Sequence, residues 1–158
     1  MQNTKYELLE NDTVTAPNGA KLFRIRALVA IAMIGVSAGD LGGYVESQNN
    51  LSVFGNAWVF GNARVFGDAW VSGNARVKLS IHVGWHSHVG SENGTLTWFR
   101  SISGISVNRG CFNGTLNEFR DAVQKNHGDS VVGQEYRHLI EFIELRASQW
   151  IPAIEKAA

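Results

Sequence analysis

From Val53 to Val77 the chain repeats itself every six residues: Val53-Phe-Gly-Asn-Ala-Trp, Val59-Phe-Gly-Asn-Ala-Arg, Val65-Phe-Gly-Asp-Ala-Trp, Val71-Ser-Gly-Asn-Ala-Arg, Val77. A fixed short period of this kind points to a solenoid. Val at the first position is β-branched and suits extended backbone. Ala at the fifth suits a place where walls converge. Gly with Asn or Asp at the third and fourth suits a corner, because these residues accept turn and left-handed conformations. Three such wall-and-corner units make a triangular coil of about 18 residues, the arrangement of a parallel β-helix.

The phase extends beyond the clear repeats. Leu41 lies in the first-position register on one side, and Val83 and Val89 lie in it on the other. The expected fold is therefore an all-β solenoid core, a short parallel β-helix of about three coils. Counting eighteen stacks Leu41, Val59 and Val77 in one interior column. Residues 1–40 read as an N-terminal cap, 41–94 as the β-helix, and 95–158 as a C-terminal α/β cap of a β-hairpin and two helices.

Within that cap, Thr95–Phe99 and Ile105–Asn108 read as hairpin strands, with a turn over Ser101–Gly104. Thr115 followed three residues later by Glu118 is a capping box. It predicts a helix from Leu116 to about Asn126, with Leu116, Phe119, Ala122 and Val123 on one face. A second helix is predicted from about Gln134 to Arg146, limited by Pro152. In the N-terminal cap, Tyr6–Leu9 and the segment from Leu22 read as strands around a turn at Pro17 and Asn18-Gly19. Gly39-Asp-Leu-Gly-Gly43 reads as a tight lead into the first coil, with an anion-binding backbone nest as the alternative.

Large aromatics occupy outward positions of the repeat. Phe54, Phe60 and Phe66 stand second in their units, and Trp58 and Trp70 stand sixth, alternating with Arg64 and Arg76. So many exposed rings ask for a covering surface. The pattern predicts a subunit interface made by Phe54, Trp58, Phe60, Phe66 and Trp70, because so short a solenoid buries little by itself. Coverage by a terminal segment of the same chain is the alternative.

Charge and cysteine content exclude several classes. Of 158 residues, fourteen are basic and fourteen acidic, which argues against a polybasic nucleic-acid face. The single cysteine, Cys111, excludes an intrachain disulfide framework. The apolar run within 27–38 is too short to span a bilayer, and the first residues do not read as a signal peptide. The expected location is the cytoplasm, the host cell's if the chain is phage-encoded.

Gly39-Asp-Leu-Gly-Gly-Tyr-Val-Glu46, Leu51-Ser-Val and the Gly-Asn-Ala repeats resemble a family of bacterial and phage hexapeptide-repeat proteins. The segment Gly110-Cys-Phe-Asn-Gly-Thr-Leu116, with Glu118-Phe119, resembles a phage-type C-terminal module. The resemblance implies a left-handed β-helix and a homotrimer. It also implies either an acyltransferase using an acyl carrier, with a histidine base between subunits, or a non-catalytic ligand-binding relative.

His82, His86 and His88 form the densest ionisable cluster. Imidazoles near neutral pH can act as bases or bind ligands. Their phases put His82 and His88 on different walls and His86 near a corner, so no metal site is expected. Arg64, Arg76 and Arg109 can hold carboxylate or phosphate, and Trp85 and Trp98 can stack a ring. The ligand-binding set is thus Arg64, Arg76, His82, Trp85, His86, His88, Trp98 and Arg109, with no catalytic residue and no cofactor assigned. The expected function is a non-catalytic trimeric protein that binds a small anionic ligand, as a phage protein sequestering a nucleotide or cyclic-nucleotide immune signal would. A CoA-dependent hexapeptide acyltransferase and a purely structural assembly protein are the alternatives.

Overall fold

A computed structural model describes residues 3–150. The chain opens with a hairpin of β1 (Tyr6–Thr15) and β2 (Lys21–Ala27), and continues through β3 (Leu41–Val45). The repeat supplies three strands of two residues each, β4 (Trp58–Val59), β5 (Arg64–Val65) and β6 (Arg76–Val77). A meander follows: β7 (Val83–Val89), β8 (Gly94–Ser101), β9 (Gly104–Arg109) and β10 (Phe112–Thr115). Two helices end the described chain, α1 (Leu116–His127) and α2 (Val131–Ala147). Among the described residues the strands form three sheets, ordered β1-β2-β3-β5, β10-β9-β8-β7 and β4-β6.

This arrangement corrects the expected fold: the repeat does not build a left-handed solenoid of three coils. Val59 does lie beside Val77, eighteen positions on, in a parallel pair. Yet Tyr44 and Val45 pair with Arg64 and Val65, and Leu51 with Val71, each twenty positions on. The spacing between paired residues is therefore not constant. Leu41, expected inside, is 55% exposed and pairs antiparallel with Arg26. Val83 and Val89 also leave the repeat and pair antiparallel with Phe99 and Gly94 in the meander. The physical reason lies in composition. Past Val77 the corner motif of Gly with Asn or Asp stops, and alternating residues favour a wide antiparallel sheet over further corners.

What the period does determine is which side chains point inward. Val59, Val65, Val71 and Val77 are fully buried, and Ala57, Ala63, Ala69 and Ala75 nearly so. Gly55, Gly61, Gly67 and Gly73 all take positive φ, between 57° and 71°, at the corners. These residues join Tyr6, Ile25, Val45, Leu51, Trp58 and Phe99 in one core. Gly43 is needed because the walls come close: a Cβ there would stand 2.5 Å from the Ala63 carbonyl oxygen and 2.7 Å from a Val59 methyl.

Polar plugs close this core. Lys5 is 5% exposed, and its Nζ donates to the carbonyls of Ser52 at 3.0 Å and Ala57 at 2.6 Å. Burial pushes its pKa down to about 8. The Tyr6 hydroxyl donates to the Leu51 carbonyl at 2.7 Å. Asn50 ends a short 3-10 turn, Gln48–Asn50. Its Oδ1 accepts from the backbone N–H groups of Glu46 and Ser47, and its Nδ2 donates to the carbonyls of Gly67 and Ala69.

The C-terminal part has its own core, where Leu96, Trp98 and Val107 of the meander meet Leu116, Phe119, Val123, Tyr136, Ile140 and Ile143 of the helices. Here local sequence rules hold. The Thr115 hydroxyl accepts from the Glu118 N–H, and the Glu118 carboxylate accepts from the Thr115 N–H. The hairpin turns between Ser101 and Gly104 as expected. The expected limit of the second helix at Pro152 lies outside the described residues.

Candidate ligand-binding site

A cleft of about 560 Å³ lies where the repeat meets β7 and the β1–β2 turn, and is lined by Pro17, Asn62, Arg64, Phe66, Ser80, Val83 and Trp85. Arg64 comes from β5, where the pairing with Tyr44 fixes its backbone. Trp85 comes from the middle of β7, opposite Thr97. Its ring meets Phe66 edge to face, with centroids 4.9 Å apart and planes at 86°, a favourable geometry for two aromatic quadrupoles. The half-buried Arg64 guanidinium has no hydrogen-bond or ion-pair partner among the described residues.

Its neighbour Arg24 shows the opposite condition. Arg24 is ion-paired to Asp12 at 2.6 Å, donates to the Gly42 carbonyl at 2.8 Å and to the Tyr44 hydroxyl at 2.5 Å, and reaches Asn62 at 3.4 Å. Its guanidinium also lies 4.3 Å from the Tyr44 ring centroid. Hydrogen bonds from Tyr44 and Arg24 hold the Asp12 carboxyl below its usual range. One arginine is thus built into the wall, while the other is left with free donors at a cleft.

Three further cations, Arg76, Lys78 and Arg100, stand outside that cleft, near His82 and one another. Arg76 has a buried Nε with no partner. The Nε of Arg100 donates to the Arg76 backbone carbonyl at 3.0 Å. Burial, and then repulsion from Arg76, lower the Arg100 pKa. Lys78 stands over the Phe60 ring, 5.3 Å from its centroid. None of Arg76, Lys78 and Arg100 has a carboxylate partner among the described residues.

The structure places the three histidines apart in role. His82 is buried, and its Nδ1 accepts from the backbone N–H groups of Lys78 and Leu79, both at 3.1 Å. Trp150 meets its ring edge to face, with centroids 5.5 Å apart. Burial, then the charges of Arg100 and Lys78, push the His82 pKa down to about 4. In His86, Nε2 accepts from the Trp98 indole N–H at 3.2 Å, and burial lowers its pKa. His88 is exposed on a bulge with φ of 62°. Among the described residues no cluster of three His, Cys, Asp or Glu side chains could hold a metal ion.

Of the expected ligand set, Arg64 and Trp85 share the cleft. Trp98 is 2% exposed in the C-terminal core, out of reach of a ligand. Arg109 lies on a separate pocket with Cys111. The expected interface rings also divide. Phe54 and Trp70 are exposed, Phe60 and Phe66 are half-buried on their own chain, and Trp58 is 1% exposed beneath Tyr6. Trp58 turns inward because Tyr6 and the core take its ring, so a surface role is closed to it. Pro17, Asn62 and Ser80 belong to the cleft but carry no sequence signal beyond turn propensity. Lys5 and Asn50 were also missed as buried polar groups. The Ser47-x-x-Asn50 spacing, which forms a capping box, was the available clue for Asn50.

No family model, no curated protein sequence and no solved structure matches the chain. Together with the three separate sheets, this overturns the resemblance to hexapeptide-repeat proteins. The phage setting, the anti-defence role and the nucleotide ligand came with that resemblance and lose their support with it. Among the described residues no helix is long and apolar enough to cross a membrane.

Proposed function

We propose that this chain is a non-catalytic binding protein for a small anion with a flat apolar ring, held in the cleft between Arg64 and Trp85. The observation that carries this reading is the unpartnered Arg64 guanidinium beside the Phe66–Trp85 pair in a cleft of about 560 Å³. That volume falls in the range of small-molecule sites. The guanidinium would take the anionic group with two parallel donors, and the aromatic pair would take the ring. A non-catalytic role is favoured because His82 and His86 already use a ring nitrogen as acceptor within the fold.

Calorimetry with naphthalene-2-sulfonate and indole-3-carboxylate, against naphthalene-2-sulfonamide and indole, tests the reading. The anions are expected to bind, the neutral partners to bind about tenfold more weakly, and Arg64→Ala to remove the difference. Equal binding of anions and neutral compounds, or anion binding unchanged in Arg64→Ala, rejects it. The trimer is read separately, from the solution mass of the same sample.

A further inference from the structure

A second pocket of about 340 Å³ lies between the meander and the two helices, far along the chain from the Arg64 cleft. Arg109, the last residue of β9, forms one wall. Its side chain is only 12% exposed, and its Nε is buried with no hydrogen-bond partner. Glu92 is the nearest carboxylate, but it stands 3.9 Å away and is 79% exposed. At that distance and exposure it neutralises little. The guanidinium otherwise leans on Tyr136, 5.9 Å from the ring centroid and against its hydroxyl. The Tyr136 hydroxyl and the loosely placed Glu92 carboxylate are its polar neighbours, and its Nε–H is left without a partner.

The site is shaped for this arginine. Gly90, at φ of 76°, has no room for a Cβ, which would run into the Tyr136 hydroxyl and stand 2.8 Å from Arg109 Nη2. The opposite wall is apolar, made by Phe112, Phe119 and Val123, with the Phe112 and Phe119 rings packed 5.2 Å apart.

We infer that this pocket binds a small monocarboxylate with an apolar body, its carboxylate on Arg109 and its hydrocarbon against Phe112, Phe119 and Val123. A carboxylate matches the planar fork of a single arginine. A dianion such as phosphate fits less well, because it would face Glu92 and find only the His127 imidazole beside Arg109 as a further basic group of the pocket. The apolar wall favours an aliphatic or aryl tail over a polar one.

The test is titration of the whole chain with hexanoate and with hexanamide, followed by calorimetry and by the Arg109 Nε–Hε resonance in NMR. Hexanoate is expected to bind at least about tenfold more tightly than hexanamide and to shift that resonance. Arg109→Gln is expected to abolish the preference. Glu92→Gln removes the competing carboxylate and is expected to tighten hexanoate binding severalfold, a gain that misfolding cannot produce. Arg64→Ala is expected to leave hexanoate binding unchanged, which separates this site from the first cleft. Equal binding of acid and amide, an unmoved Arg109 resonance, or hexanoate affinity unaltered by Glu92→Gln overturns the inference.

Discussion

The two cores of this molecule are closed in different ways. The repeat core is filled by valine and alanine, framed by strands of two residues, and closed by buried polar side chains: Lys5, Tyr6 and Asn50. The C-terminal core is filled by larger side chains between a four-stranded sheet and two helices, with strands of up to eight residues. In the first, small side chains and close walls leave many backbone carbonyls facing inward, and each needs a donor. In the second, ladders and helix bonds satisfy the backbone, and apolar contact does the rest. The contrast teaches that a short-period repeat can fix a chain's inside and outside while depending on distant single residues to satisfy its hydrogen bonds.

Three substitutions probe this contrast. The largest effect is expected from Ile143→Ala, which opens a cavity at a fully buried α2 position. A loss of about 2–5 kcal/mol is expected in denaturant unfolding. A loss below about 1 kcal/mol would mean that the helices do not rely on apolar packing. Asn50→Ala comes next. It leaves two backbone N–H groups and two carbonyls without their side-chain partner, and a loss of about 1–3 kcal/mol is expected. Faster amide exchange at Glu46 and Ser47, with little change in α2, would localise that loss to the repeat core. A change spread evenly over both cores would break the distinction drawn above.

The smallest effect sharpens the comparison at the junction. His82 closes its 3-10 turn as Asn50 closes the earlier one, each accepting from N–H groups three and four residues back. Only His82 titrates. With its folded pKa down at about 4 against an ordinary 6.5, the unfolded chain takes up the proton first. The stabilisation it contributes is present above pH 6.5 and is lost as pH falls toward 4. His82→Asn keeps an acceptor without the charge. It is expected to change stability little at pH 7 and to flatten the slope of stability between pH 6.5 and 4. Part of the slope is expected to remain from His86, whose pKa burial also lowers. An unchanged slope in His82→Asn would show that the ring's burial does not resist protonation.

Much of the C-terminal half was legible because its signals are local. The Thr115–Glu118 box, the apolar face of α1 and the turn before Gly104 each act within a few residues. In the repeat, the inward Val and Ala and the corner glycines were also legible. The pairing was not. A six-residue period is equally compatible with several partners, and the offsets of twenty and eighteen depend on where β3 and the Gln48–Asn50 turn enter. The Arg64 cleft was half legible: Arg64 and Trp85 stood out by residue type, but nothing in the order of residues sets them against Pro17. Trp58 illustrates the converse. An aromatic residue at a position that reads as outward can be claimed by a distant segment, here Tyr6.

Trp150 donates from its indole nitrogen to the Ile81 carbonyl at 3.0 Å and holds its edge against the His82 ring. A protonated imidazole quenches an adjacent indole far more strongly than a neutral one. The molecule therefore carries its own optical probe, and the share of emission lost on acidification that Trp150→Phe removes would report the seam between its halves without any added dye.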